Sequence, residues 1–256
     1  MSGRLASLYR HPVKGFTPER LARAKLEAGA CFPCDRMYAV ENGPSGFDPA
    51  APAHLSKSKF TVLAQIPDVA RARTAFDEAT GVFHVEAEGQ GRLDADLTKA
   101  TGRRALEAWL TSLLGEAVRG PLRVVSAPPH RFTDDVQGYV SLINVESVRD
   151  LATRAGRPLD PLRFRANLYV EGLPAWSELD IVGGGGVSVG GVRAEVIKPI
   201  VRCAATHVDP TTAERDFELV PALREHYGHV FCGIYLNVLS GGEVTEGDPV
   251  AFGETY

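Results

Sequence analysis

Apolar and polar residues alternate along this chain in short runs, far more often than they repeat at helical spacing. Residues 4–10 alternate and read as a strand, stopped by His11-Pro12-Val13-Lys14-Gly15. Residues 21–26 alternate weakly, and residues 37–40 form a short apolar strand behind Asp35-Arg36. Residues 82–87 and 92–97 alternate on either side of Gly89 and Gly91, the pattern of a hairpin. Further strands are expected at residues 122–125, 139–143, 167–170, 187–197 (turning at Gly190-Gly191), 231–239 and 244–252. Helical spacing is confined to three stretches. Residues 101–114 place Leu106, Trp109, Leu110, Leu113 and Leu114 on one face, with Thr101 as the expected N-cap and Gly115 as the stop. Asn144 is the expected cap of a helix reaching about Arg154, and residues 217–227 are amphipathic. Residues 60–66 suit a buried strand or the start of a helix equally. Residues 42–53, rich in Gly, Pro and Ala, read as loop, and residues 127–137 (APPHRFTDDVQ) as a linker. There is no internal repeat. The fold class expected is a β-rich, mixed α+β protein.

Composition narrows the function classes. With 256 residues, 44% hydrophobic and 23% charged, the chain can form one large domain or two modest ones around a sizeable core. A net charge of -4 argues against a nucleic-acid binder, although it leaves local basic pockets open. No apolar run is long enough for a membrane span, and the first residues lack the apolar centre of a signal peptide. Four unevenly placed cysteines do not make a disulfide framework, so the expected location is the reducing cytoplasm.

Most local motifs fail on context. Gly183 to Gly186 precede an alternating stretch rather than a helix, which suits a turn and not a phosphate loop. Cys31-Phe32-Pro33-Cys34 has C-x-x-C spacing but neither a following helix nor a second ligand pair. His226 and His229 sit near a helix end, where a cation is favourable without any metal. No G-x-S-x-G element supports a serine hydrolase. More informative are basic residues at the ends of apolar segments: Lys14, Arg36, Arg163, Arg165 and Arg202. Singly these read as surface charges; together they could converge on one anion, with Arg forking onto phosphate oxygens. Arg202 is followed by Cys203, and a thiol beside a fixed cation ionises more readily. The same cysteine suits a small buried hydrophobe, and local pattern alone favours that reading.

Several segments, taken in order, resemble the MOSC domain proteins, named for the C-terminal domain of molybdenum-cofactor sulfurase. They are His11-Pro12-Val13-Lys14, Asp35-Arg36, Phe164-Arg165-Ala166-Asn167, the run Arg202-Cys203 with Thr206 and Val208-Asp209-Pro210-Thr211, then Gly233-x-Tyr235 and Gly247-Asp248-Pro249-Val250. The resemblance implies an N-terminal β-barrel-like domain over residues 1–121, packed on a MOSC β-barrel domain over residues 122–256 with peripheral helices. It implies a molybdenum cofactor (Mo-molybdopterin), with Cys203 as the protein ligand to the metal. Lys14, Gly15, Arg36, Arg165, Asn167, Arg202, Thr206 and Tyr235 would line the cofactor site. Asp209 would lie near the metal's open face and His207, where close relatives have threonine, could bring a titratable group there. Gly15 stands where many relatives have serine, and Lys57 and Lys59 loosely echo an arginine-bearing segment.

Among relatives, the amidoxime-reducing enzymes suggest a molybdenum oxidoreductase acting on N-hydroxylated or related N–O and X–O small molecules. The chain shows no ferredoxin cysteine pattern, so electrons are expected from a separate reductase, ferredoxin or cytochrome b5-like donor. The alternative is a carrier of molybdenum cofactor or sulfur that uses Cys203 without redox turnover.

Overall fold

The computed structural model describes residues 2–254. At its centre seven strands close into a barrel. Around the ring they run Leu168–Glu171, Val140–Asn144, Phe231–Ser240, Val192–Val201, Gly186–Val189, Pro249–Glu254 and Ser2–Arg10, which pairs back onto Leu168–Glu171. All contacts are antiparallel except that between Leu168–Glu171 and Val140–Asn144. The alternation in the sequence is the cause of the closure. Val140 and Leu142, Leu168 and Val170, Val192, Ala194 and Val196, and Ile234, Leu236 and Val238 share one buried cluster, as inward positions of a small barrel should.

Outward positions build a second core. Ile143, Tyr169 and Cys232 pack there with Val148 and Leu151 of the Val145–Arg154 helix and Leu219 and Leu223 of the Leu219–Tyr227 helix. Cys232 and Ile234 share parity along their strand yet lie in different cores. The switch is made at Gly233, whose φ of +76° accompanies an irregular register opposite Pro199 and Val201. A Cβ at this position would collide with the Leu142 carbonyl oxygen, so only glycine fits the bulge.

The first half of the chain forms smaller sheets beside the barrel. Arg73–Asp77, Val82–Ala87 and Gly91–Asp96 make a three-stranded meander packed on the Ala100–Leu114 helix around Phe76, Phe83, Leu106 and Leu110. Three sets of pairings join residues on either side of position 121: the opening strand in the barrel, Arg23–Leu26 with Gly242–Thr245, and Ala39–Asn42 with Leu122–Val125. The opening strand therefore completes a barrel otherwise built from residues 140–254.

Local expectations are corrected in four places. The cap of the first helix falls on Lys99 rather than Thr101 and makes no side-chain bond, whereas Asn144 does accept from the Glu146 N–H at 3.1 Å. Residues 60–66 form neither strand nor helix. Phe60 makes one bridge to Glu41 and the backbone then turns, with the Ile66 N–H donating to the Val62 carbonyl. Residues 244–252 split, Gly242–Thr245 leaving for Arg23–Leu26 while Pro249–Glu254 enters the barrel. Residues 127–137 are a packed wall, not a free linker: Phe132 is buried against Phe47 and Phe60, at centroid separations of 5.0 and 5.6 Å. Among the described residues no helix is long and apolar enough to cross a membrane.

Candidate functional site

The Val192–Val201 strand ends at one rim of a cleft and delivers Arg202 and Cys203 there. Arg202 is spent on the main chain. Its Nε donates to the Cys232 carbonyl and its Nη1 to the Phe164 carbonyl, both at 2.8 Å, and the guanidinium stacks over the Phe164 ring at 5.2 Å. It thus ties the strand end to two neighbouring segments. Cys203 opens the short 3-10 turn Ala204–His207 without using its side chain as a cap. Thr206 locks that turn by donating its hydroxyl to the Cys203 carbonyl at 2.9 Å. The thiol forms no disulfide; half-buried, it lines the cleft beside the Lys57 ammonium.

Three cations reach the same cleft from other segments. Backbone bonds from Lys14 N–H to the Tyr38 carbonyl and from Arg36 N–H to the His11 carbonyl clip the segments carrying Lys14 and Arg36 together. Gly15 lets the chain turn away at φ +91°, hard against the Thr61 carbonyl oxygen, where any side chain would collide. Arg36 and Arg165 both sit in the left-handed region, at φ +47° and +53°, a conformation costly for residues with a Cβ. Such strain concentrates where surrounding structure fixes a functional group. Here Asp35 fixes Arg36, accepting from its Nη1 and, at 2.6 Å, from the His11 N–H. Arg36 Nη2 in turn donates to the Arg165 carbonyl at 3.1 Å, and Arg165 Nη1 to the Phe16 carbonyl at 2.7 Å.

The electrostatics follow from this crowding. Burial opposes ionisation of Asp35, but the Arg36 guanidinium beside it overrides that and holds the carboxyl well below its usual range. Desolvation, with Arg36 close by, pulls the Arg165 pKa down to about 10, the mark of a partly buried cation short of negative charge. Burial also keeps His11 neutral and, with Arg36 and Arg165, pulls its pKa down to about 3 against the pull of Asp35, whose Oδ1 lies 3.6 Å from the ring Nδ1, while Nε2 has no partner. Since the folded pKa lies below the unfolded one, the stability tied to His11 is present above about pH 6.5 and lost as pH falls toward 3. Denaturant unfolding should therefore lose up to about 1.4 kcal/mol per pH unit between pH 6 and 4 from this group. His11→Leu should flatten that slope relative to wild type; an unchanged slope would refute the assignment.

The cleft encloses about 410 Å³ and is lined by seven Lys or Arg side chains against two carboxylates, although the whole chain is acidic. Val62, Leu63, Pro199 and Ile200 add apolar surface to the same lining. Lys14, Gly15, Arg36, Arg165, Arg202, Cys203, Thr206 and Tyr235 all line this one space. Asn167 lies behind it, its Oδ1 accepting from Ser141 N–H and Oγ and its Nδ2 donating to the Tyr9 carbonyl, so it positions the barrel rim.

The structure does not bring His207 and Asp209 into the cleft. The His207 Nε2 accepts from the Val220 N–H at 3.3 Å and its Nδ1 lies 3.3 Å from Glu218, on the far side of the Cys203 turn. Asp209 is committed to Arg163 Nη2 at 2.7 Å and to the N–H groups of Thr211 and Thr212. Sequence reasoning missed Lys57, Lys198, Asp134 and Asp135, all of which line the cleft. Lys57 carried a faint signal in the family-like Lys-x-Lys segment; the two aspartates were hidden in what reads as a polar linker. Cys31 and Cys34 lie outside the cleft lining, and burial raises both thiols, Cys34 to about 11, which does not suit a reactive pair.

Among the described residues no group of three or more His, Cys, Asp or Glu side chains could hold a metal ion. A metal at Cys203 would have to draw its other donors from a ligand. A soft sulfur at the rim of a cationic pocket, with one under-compensated, partly buried guanidinium, fits an anionic organic group that carries a soft metal.

A seven-stranded barrel carrying an Arg-Cys rim beside a basic cleft matches two domain descriptions in tandem. Residues 2–118 match the MOSC N-terminal beta barrel domain and residues 128–251 the MOSC domain. The chain belongs to the MOSC domain family. Among curated proteins it is similar to the molybdenum cofactor sulfurases of Caenorhabditis briggsae and Caenorhabditis elegans, 32% and 31% identical over 151 residues. The match takes in 56% of this chain but only 21% of each relative, so the chain spans about a fifth of their length. Among solved structures, the YUAD protein of Bacillus subtilis aligns over 100% of this chain and 97% of its own, at 13% identity and a TM-score of 0.47. YiiM from Geobacillus stearothermophilus aligns over 45% of this chain and 54% of its own, at 23% identity and a TM-score of 0.36.

Proposed function

We propose that the cleft binds the molybdenum cofactor and that the protein is an oxidoreductase reducing N-hydroxylated or related N–O and X–O small molecules with electrons from a separate donor protein. The observation that carries this reading is the free thiol of Cys203 opening onto the same cleft as Lys14, Arg36 and Arg165, which come from three separate segments. The cofactor, when bound, supplies two-electron redox chemistry and a metal able to accept oxygen. The chain's own groups do the rest. Lys14, Arg36 and Arg165 would hold the phosphate, the Arg pair through the N–H groups not already given to Asp35 and the main chain, and Lys14 as a point charge. Cys203 would supply a soft sulfur donor to the metal. Thr206 and Arg202 fix where that donor points. The apolar residues in the lining, Val62, Leu63, Pro199 and Ile200, favour a substrate with an apolar body. His207 and Asp209, expected near the metal, enter this reading only as supports of the Cys203 turn. We read residues 1–121 and 122–256 as the two domains, joined through their shared sheets, and the four free cysteines as suiting the cytoplasm.

The sulfurase names of the curated relatives favour a second reading, in which Cys203 carries sulfur or cofactor without turnover. Metal and pterin analysis of freshly purified protein, followed by oxidation of a reduced dye with benzamidoxime as acceptor, separates the two. Near-stoichiometric molybdenum and pterin with turnover are expected. Loaded protein without turnover on any N-oxygenated acceptor would favour the carrier, and absence of both metal and pterin would refute cofactor binding.

A further inference from the structure

The cleft's two carboxylates are adjacent in sequence and each is paired with a different cleft lysine. Asp134 reaches Lys14 Nζ at 2.5 Å, and Asp135 is ion-paired with Lys198. Both come from the turn between buried Phe132 and the Val140–Asn144 strand. That turn is held internally, by the Thr133 hydroxyl and Gly138 N–H donating to the Asp135 carbonyl and by the Gln137 N–H donating to its carboxylate. Its tip, Val136, is 71% exposed. The Lys14 ammonium is buried, its side chain 6% exposed, and its other partner is the Phe132 carbonyl at 2.8 Å. Asp134 is open on the cleft side, 56% exposed, and three cations, Lys14, Lys57 and Arg36, hold its carboxyl below the usual range.

A carboxylate and a phosphate present the same chemistry to a lysine, negative oxygens at hydrogen-bond distance. Asp134 therefore stands on the cation that a ligand phosphate would use. We infer that Asp134, backed by Asp135, is a built-in counter-anion of the cleft, and that an anionic ligand must displace it from Lys14 in order to bind. The inference rests on the reading of the cleft as an anion site. Its function would be to satisfy a buried ammonium in the ligand-free protein and to reject weakly charged ions, since only a ligand meeting several of the cations at once outcompetes a tethered carboxylate. Asp135 matters less, because Lys198 is 49% exposed and water can replace the acid there.

The test is titration of inorganic phosphate and pyrophosphate into the full chain produced without cofactor, followed by calorimetry. Asp134→Asn keeps the size and a neutral acceptor for Lys14 while removing the competing charge. It should bind phosphate about tenfold more tightly than wild type, with Asp135→Asn changing affinity by about threefold or less. Wild-type binding with an equal or weaker Asp134→Asn would overturn the counter-anion role, leaving Asp134 as an orienter of Lys14 and the anion site intact. If neither protein bound either probe, the anion reading of the cleft would fail and this inference with it. Should Asp134→Asn not fold, Asp134→Ser carries the same comparison.

Discussion

Cys203→Ser is expected to yield a folded protein that has lost its molybdenum and its turnover. The thiol makes no cap bond and is only half-buried, so its removal should shift unfolding by less than about 1 kcal/mol. Serine offers a hard oxygen that stays protonated near neutral pH, a poor partner for a metal otherwise held by soft donors. Metal content and rate should each fall by roughly 100-fold or more. Pterin should be partly retained, because Lys14, Arg36 and Arg165 are untouched by the change. Retained activity in Cys203→Ser would sink the ligand assignment. Parallel loss of pterin with preserved folding would mean that the thiol, not the cationic cradle, dominates binding.

The second large effect is expected at a cleft-lining cation whose charge is committed to the Cys203 turn. Arg163 is the buried hub of the Cys203 turn, with 1% of its side chain exposed. Its Nη1 donates to the His207 carbonyl at 3.2 Å, and its Nη2 pairs with Asp209 and Asp216. Arg163→Met keeps the apolar stem but leaves Asp209 without a cation, while Asp216 retains Arg157. Removing one partner of a buried pair typically costs about 3–5 kcal/mol. Asp209 and Asp216 are each about a fifth exposed, so the lower part of that range is expected. Urea unfolding gives the measurement. A change under about 0.5 kcal/mol would show that water compensates the acids and that Arg163 holds nothing. Asp209→Asn should cost less, because Asp216 still faces the guanidinium and the loop bonds to Thr211 and Thr212 can form to the amide oxygen.

Cys203 and Arg163 are unequally visible in the sequence. Cys203 is marked in the sequence by its position after an alternating strand and an arginine, and by the order of the surrounding segments. Arg163 looks like any charge near a turn. Its importance comes from Asp209 and Asp216, 46 and 53 residues further on, and no local pattern reports such a pairing. His207 shows the converse. Chain proximity suggested that a residue four positions from the cysteine could share its cleft. The 3-10 turn instead carries the ring to the other side, toward the Leu219–Tyr227 helix.

The sequence by itself determined the β-rich class, most strands, the Asn144 cap and the family-like segments, because period-two alternation and turn chemistry are local properties of a chain. It did not determine closure of the barrel by its first strand, since pairing of Leu5 with Val170 depends on which apolar faces meet across 165 residues. It could name Lys14, Arg36, Arg165 and Cys203 as basic or nucleophilic groups at strand ends, but not bring them together. Convergence was decided by the tertiary structure, through left-handed backbone at Arg36 and Arg165 and through bonds such as Lys14 to Tyr38. The same is true of Asp134 and Asp135. In sequence they are solvated linker acids; only packing of Phe132 on Phe47 and Phe60 turns that stretch inward and sets carboxylates on the cleft's own lysines.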